Sequence, residues 1–298
     1  MGRNRISETC KKFFSNENKA AIPDPADPVY LEANILAGRT RLPLKNGRFG
    51  GITYLECTEE NGFMPRPPGT HVDLIYLCSP SNPTGVALSR EILKEWVDYA
   101  RAHEAVIFFD GAYTSYTTSG APRSIYEIEG AKETAIEIRS FSKSAGSLRC
   151  SYSVIPEQLR IRDVGKTLPL HSLWKRRCET KHNGVSYPVQ KAAAAIYSPK
   201  GKQEIGDLIR ACTERARFLR TGLQHLGYTV YGGIDAPYVW CKTPRKISSW
   251  EFFDTLLQNG VAAAPGRGFG LGGDHFVRFS AFADQTAIAE ALLRIKSL

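Results

Sequence analysis

The sequence predicts an α/β fold with a mostly parallel central sheet sandwiched by helices, and a smaller α+β C-terminal domain after it. Three observations predict this. Short, nearly continuous apolar runs alternate with an amphipathic helical stretch at βαβ spacing. The first of these runs ends in a turn-rich polar segment, as a buried parallel strand does at its carboxyl end. The last third then changes character, opening on one long helical stretch and continuing in short strands and Gly-rich loops. The expected division is a large domain over 1–201, and a linking helix with a small C-terminal domain over 202–298.

The elements follow in order. Val72-Asp73-Leu74-Ile75-Tyr76-Leu77-Cys78 reads as a buried strand, and Ser79-Pro80-Ser81-Asn82-Pro83-Thr84-Gly85 as the loop after it. Ser89 caps a helix over Arg90 to His103, with Ile92, Leu93, Trp96 and Ala100 on one face. Ala105 to Phe109 is the next strand, closed by Asp110, and Ala135 to Ile138 another, running into Arg139-Ser140-Phe141-Ser142-Lys143. A long helix is expected from Lys202 to Leu226, with Gly227 as its stop. Strands at Tyr228 to Tyr231 and Tyr238 to Lys242, a helix at Ser249 to Asn259, a strand at His275 to Ser280 and a helix at Gln285 to Ile295 complete the chain.

Composition narrows the function classes. At 298 residues, 42% hydrophobic and 23% charged, the chain is neither disordered, collagen-like nor a small disulfide scaffold. Its 39 Lys and Arg against 30 Asp and Glu give a formal net charge of +9. The basic residues are scattered, the densest runs being Lys11-Lys12 and Lys175-Arg176-Arg177, and no nucleic-acid-binding motif accompanies them. A basic enzyme with anionic small-molecule ligands is therefore favoured over a nucleic-acid partner. The seven cysteines form no C-x-x-C, which fits free thiols in a reducing compartment. No His and Cys cluster at ligand spacing, so no metal site is expected. No apolar run approaches the ~18 residues of a spanning helix, and the N-terminus lacks the apolar stretch of a signal peptide. A soluble, cytoplasmic protein with no membrane partner is expected.

Four segments carry chemistry, and all four are expected where strands of the parallel sheet end, the place where open α/β sheets bind ligands. Lys143, just past a strand and preceded by Ser140 and Ser142, suits a Schiff-base lysine with hydroxyls on a phosphate. Taken alone, S-x-S-K is equally a solvated lysine in a Ser-rich loop. Asp110, closing a buried strand, needs a cationic partner such as a protonated pyridine nitrogen. Tyr113 would donate to a phenolic oxygen. The other reading of Asp110, a Walker-B-like or helix-capping residue, lacks a P-loop to partner it. Asn82-Pro83-Thr84-Gly85 alone is a turn, in which Asn82 can hydrogen-bond a ring oxygen. Arg278 can hold a carboxylate bidentately, although a lone Arg on a strand is usually structural.

The order N-P-T-G, then D-x-x-Y 28 residues on, then S-x-S-K 33 further, then a distant Arg, resembles the fold-type I pyridoxal-phosphate aminotransferases. Longer segments resemble the LL-diaminopimelate aminotransferase family within them. These are Cys57 to Phe63, Cys78 to Gly85, Ser124 to Ala131, Asn183 to Gln190, Tyr231-Gly232-Gly233, Ala236-Pro237-Tyr238 and Ser248-Ser249-Trp250. The similarity runs from Ile6 to Leu298.

The resemblance implies roles. Lys143 carries pyridoxal 5'-phosphate covalently and shuttles the proton between substrate Cα and cofactor C4′. Asp110 pairs with the pyridine nitrogen, Tyr113 and Asn82 with the ring oxygen, and Ser140, Ser142 and Arg149 with the phosphate. Asn183 reaches substrate and cofactor across a homodimer interface, Lys11 and Asn82 touch both, and Arg278 binds the substrate α-carboxylate. The implied reaction exchanges an amino group between LL-diaminopimelate and 2-oxoglutarate, with glutamate as donor in lysine biosynthesis. The family is cytoplasmic in bacteria and plastidic in photosynthetic eukaryotes.

The chain also departs from the family pattern. It is expected to lack roughly the first quarter of a family chain. Ile6-Ser7-Glu8-Thr9-Cys10-Lys11 stands for I-S-D-G-A-K, and Asp24-Pro25-Ala26-Asp27-Pro28-Val29-Tyr30 for D-P-x-Y-P-V-Y, so Asp27 replaces a tyrosine expected beside the cofactor ring. Arg149 follows Lys143 by six residues, short of the spacing in K-T-A-G-F-T-G-V-R. These departures define the alternative: a degenerate or truncated aminotransferase-fold protein with weak cofactor binding and no turnover.

Overall fold

The computed structural model describes residues 14–146, 148–163, 166–181 and 184–298. In chain order the main elements are β1 (Ala20–Asp24), α1 (Val29–Leu36), β2 (Ile52–Glu56), β3 (Leu74–Cys78), α2 (Arg90–His103) and β4 (Val106–Asp110). Then come a short α3 (Ala131–Thr134), β5 (Ala135–Ser140), β6 (Ser151–Val154), the pair β7 (Arg160–Asp163) and β8 (Lys166–Pro169), α4 (Leu170–Lys181), α5 (Tyr187–Ala195) and α6 (Pro199–His225). The last third holds β9 (Val230–Gly232), β10 (Tyr238–Lys242), α7 (Ser249–Gln258), β11 (Ala264–Pro265), β12 (Phe276–Ser280) and α8 (Gln285–Lys296).

A six-stranded sheet, ordered β2-β1-β3-β4-β5-β6, forms the body. Its first five strands are parallel and β6 closes the edge antiparallel to β5. Both faces are covered, which is why β3 and β4 are apolar at every position before their last. Leu74, Tyr76, Val106 and Phe108 pack on one face with α6 and the second sheet. Ile75, Leu77, Ile107 and Phe109 pack on the other against Ile92, Leu93, Trp96 and Ala100 of α2. That helix starts where Ser89 accepts the Ile92 N–H at 3.3 Å, and it ends on Glu104 in the left-handed conformation. Trp96, with none of its surface exposed, still satisfies its indole N–H on Pro65 O at 3.0 Å. Burying a side chain of this class contributes about 2–3 kcal/mol, so the α2 face is a large part of what holds this layer.

The second sheet, ordered β11-β12-β10-β9, is antiparallel throughout and is backed by α6, α7 and α8. It is locked to the first at the carboxyl edge of the parallel strands. Ala26 N–H donates to Phe269 O at 2.9 Å, and Gly272 N–H to Asp24 Oδ1 at 2.8 Å. Tyr231 and Lys242 both donate to Glu59. Gly85 (φ +70°) lies so close to β10 that a Cβ there would sit 2.5 Å from Tyr238 O. The loop after β3 is thereby pressed onto the second sheet. Among the described residues no helix is long and apolar enough to cross a membrane.

Most expected elements stand within two or three residues of their predicted bounds. The long helix begins earlier, at Pro199, because Ser198 accepts the Gly201 N–H at 3.0 Å and proline suits the first helical turn. The strand expected at Tyr228 to Tyr231 is Val230–Gly232, since only these residues find a ladder partner on β10.

Candidate active site

The parallel strands deliver their last residues to one edge. Cys78 and Asp110 lie abreast in the β3–β4 register, and Asp110 faces Ile138 of β5, two residues before Ser140. Asp110 is 3% exposed. Its Oδ1 accepts the Ala112 N–H at 3.0 Å and its Oδ2 the Tyr30 hydroxyl at 2.8 Å. Tyr30 is held in place by stacking on Tyr76 (5.4 Å between centroids), which stacks in turn on Phe108 (5.2 Å). A row of aromatic rings across one sheet face thus aims a phenol at the strand-end carboxylate.

Tyr113, in the turn after Asp110, places its hydroxyl 2.9 Å from that of Tyr238 on β10. Tyr238 is also the floor under Arg278, whose guanidinium carbon lies 4.4 Å from its ring centroid and 4.7 Å from that of Phe269. Arg278 donates through Nη1 to Asn82 Oδ1, and Asn82 donates through Nδ2 to Asp27 Oδ2 at 2.9 Å. Arg278 Nε is buried without a hydrogen-bond partner among the described residues. A buried guanidinium N–H left unpaired is costly and marks a place for an anion.

Lys143 follows β5. Its Nζ lies 5.1 Å from the ring centroid of Phe282, which packs 6.2 Å from Tyr238. Its carbonyl accepts the Tyr116 hydroxyl at 2.5 Å. Burial above all, with Cys212 and Tyr238 adding, raises the Tyr116 phenol beyond its ordinary range, so it stays a donor at any working pH. Ser140 Oγ accepts the Ser142 N–H at 3.2 Å, and Ser142 Oγ donates to Leu148 O at 3.2 Å. These two bonds tie Ser142, next to Lys143, back to the end of β5 and to Leu148.

The structure therefore links Asn82, Tyr113, Lys143 and Arg278 through contacting side chains, with Ser140 and Ser142 on the turn beside Lys143. Asp110 closes the neighbouring strand three residues before Tyr113 and is held by Tyr30, and Arg278 stands on β12 of the antiparallel sheet rather than at the end of a parallel strand. Arg149 is exposed. Lys11 and Asn183 lie outside the described residues. Sequence reasoning missed Tyr30, Tyr238, Phe269 and Phe282. Tyr30 had a signal, as the last residue of the D-P-x-x-P-V-Y segment; the others are aromatic residues of the second sheet or its loops, with no local signature.

A cavity of about 240 Å³ adjoins this cluster, with Asp24, Asp27, Arg48 and Phe269 in its wall. A cavity of about 1010 Å³ opens at the opposite edge of the sheet, by Asp73, His103 and Val106 at the amino ends of the strands, remote from Lys143. The strand-end cluster is the better site, because it alone gathers an amine, a buried carboxylate, phenols and a guanidinium. Among the described residues no group of three or more His, Cys, Asp or Glu could hold a metal ion.

The donor set fits pyridoxal phosphate. Asp110 is a buried carboxylate for a ring nitrogen, Tyr113 a phenol for a ring oxygen, Ser140 and Ser142 hydroxyls for a phosphate, and Lys143 an amine for the aldehyde. The unpartnered Nε of Arg278 adds a place for the carboxylate of a second molecule.

Comparisons with known proteins agree with this geometry. Residues 55–295 match the family model described as aminotransferase class I and II. The LL-diaminopimelate aminotransferase of Methanosphaera stadtmanae is 48% identical over 293 residues, which cover 97% of this chain and 71% of that protein. The structure of L,L-diaminopimelate aminotransferase from Chlamydomonas reinhardtii superposes with a TM-score of 0.93 at 37% identity, over 99% of this chain and 73% of that one. Substrate-bound BacF from Bacillus subtilis superposes with a TM-score of 0.83 at 25% identity, over 99% of this chain and 72% of its own.

Proposed function

The chain belongs to the class I and II aminotransferase family, whose members work with pyridoxal phosphate, and from that premise we propose that it exchanges an amino group between LL-diaminopimelate and 2-oxoglutarate. The physiological direction would use glutamate as donor, on the way to lysine. The observation that carries this reading is the continuous contact chain from Lys143 through Phe282, Tyr238 and Arg278 to Asn82. It puts an amine and a carboxylate anchor on one site, as transfer from an amino acid requires.

Bound pyridoxal phosphate supplies an electron sink that weakens the Cα–H bond of the amino acid. Lys143 Nζ, the amine beside the site, would be the base that moves the Cα proton of the amino acid. The Asp110 carboxylate keeps a proton on the ring nitrogen by its charge, and Tyr30 and the Ala112 N–H hold that carboxylate in orientation. Tyr113 and Asn82 donate to the ring oxygen. Ser140, Ser142 and Arg149 take the phosphate. Arg278 would hold the α-carboxylate with the guanidinium donors that Asn82 leaves, since Nη1 is committed to Asn82. The family resemblance adds Lys11 and Asn183 as substrate-binding residues. We place the enzyme in the cytoplasm as a homodimer, on family grounds.

The test is turnover. Purified protein with pyridoxal phosphate, LL-diaminopimelate and 2-oxoglutarate should release glutamate, and Lys143→Ala should not. Glutamate formation from other amino donors but not from LL-diaminopimelate would keep the family and overturn the substrate.

A second reading, a family fold that holds cofactor weakly and does not turn over, is favoured by one specific observation. Arg149, the cation assigned to the phosphate, is exposed. Saturable cofactor binding without glutamate release would support that reading.

A further inference from the structure

Asp27 leads into α1, and its two carboxylate oxygens do different work. Oδ1 accepts the Val29 N–H at 3.2 Å, a side-chain turn that starts the helix. Oδ2 accepts from Nδ2 of Asn82 at 2.9 Å. Asn82 is 6% exposed, and its own Oδ1 accepts from Nη1 of Arg278. An amide fills nearly the same shape when turned over, but its two orientations are unequal here. With nitrogen toward Asp27 and oxygen toward Arg278, each end meets a partner of opposite polarity. Turned over, the oxygen would face a carboxylate and the nitrogen a guanidinium, two repulsive contacts in a buried place.

We infer that Asp27 is a positioning residue for carboxylate binding: it fixes the Asn82 amide so that Nη1 of Arg278 is occupied and the rest of the guanidinium is left to the ligand. The buried Nε is without a partner among the described residues, so with Nη1 taken by Asn82 the guanidinium still has unmet donor capacity for a carboxylate. The inference rests on the assignment of Arg278 to the substrate carboxylate.

The probe is glutarate, a dicarboxylate with neither amine nor carbonyl to react, titrated calorimetrically into the protein with and without pyridoxal phosphate. Asp27→Ser keeps one hydroxyl for the Val29 N–H but has no second oxygen for Asn82. It should weaken glutarate binding about tenfold in the protein without pyridoxal phosphate, while the melting temperature stays near that of the wild type. In an Asn82→Ala background the same change should add less than about twofold, because Asp27 acts through Asn82. Wild-type glutarate affinity in Asp27→Ser, or losses that multiply with those of Asn82→Ala, would overturn the inference. Should the serine variant fail to fold, Asp27→Thr makes the same comparison. Arg278→Ala separates the two levels. If it leaves glutarate binding unchanged, the carboxylate assignment falls and the inference with it; if it abolishes binding while Asp27→Ser does not weaken it, only the role of Asp27 falls.

Discussion

The hydroxyls of Tyr113 and Tyr238 meet at 2.9 Å, joining the turn after β4 to the middle of the second sheet. Both residues are almost wholly buried, at 1% and 3% exposure, so the bond is shielded from water. Removing either hydroxyl should cost about 1 kcal/mol of stability, read as a lower urea midpoint at unchanged slope. The two variants should part on cofactor. Tyr113→Phe loses the donor assigned to the ring oxygen and should weaken pyridoxal phosphate about tenfold, whereas Tyr238→Phe should bind it within about twofold of wild type. Equal cofactor affinities in the two variants would remove the role given to Tyr113.

Gly85 bears on the same seam. An alanine there would meet Tyr238 O at 2.5 Å and Gly232 Cα at 3.0 Å, both backbone atoms that cannot swing away. Gly120 offers a control, with φ +85° and no atom within 4 Å of where an alanine Cβ would stand. Gly120→Ala should cost about 1 kcal/mol, the backbone penalty alone. Gly85→Ala should cost more than about 2 kcal/mol by denaturant unfolding, because the loop carrying Asn82 must lift off β10. Equal costs would show that this close approach does not hold the loop.

Glu59 gives the seam a pH dependence. Burial raises its carboxyl, but the hydrogen bonds from Lys242 and Tyr231 and the Lys242 charge outweigh that and hold it below the ordinary carboxylate range. Tyr231 is pushed up to about 12, by burial first and then by its bond to Glu59, so it remains a donor throughout. A carboxyl lowered in the folded state contributes stability above its unfolded value and loses it as pH falls through the folded one. Wild type should therefore be more stable than Glu59→Gln at pH 7, and the gap should close below about pH 4. A gap that persists unchanged into acid would mean that the glutamine variant suffers from packing and not from lost charge.

Much of the body was legible because β3, β4 and β5 are buried on both faces and read as apolar runs, and because Asp110 and Lys143 stand where those runs end. β1 was not. Its sequence, Ala-Ala-Ile-Pro-Asp, has no periodicity and contains a proline, yet it pairs with β2 and β3 inside the sheet, where its two alanines are fully buried. α4 and α5 were equally silent, since each presents a largely exposed surface with a single buried residue and no apolar stripe. The contacts that build the site join distant parts of the chain: Tyr30 reaches Asp110 across 80 residues and Asn82 meets Arg278 across 196. No local pattern encodes such pairings. Asp27 was visible only as a departure from a family pattern, and its hold on Asn82 emerged from the fold.

Reductive trapping tests the role of Lys143 most directly. Protein equilibrated with pyridoxal phosphate is treated with borohydride, digested and mapped by mass spectrometry. One phosphopyridoxyl group on the peptide carrying Lys143, absent from Lys143→Ala, is the predicted result. No adduct at saturating cofactor, or an adduct on other lysines with Lys143 unmodified, would contradict the assignment of this site.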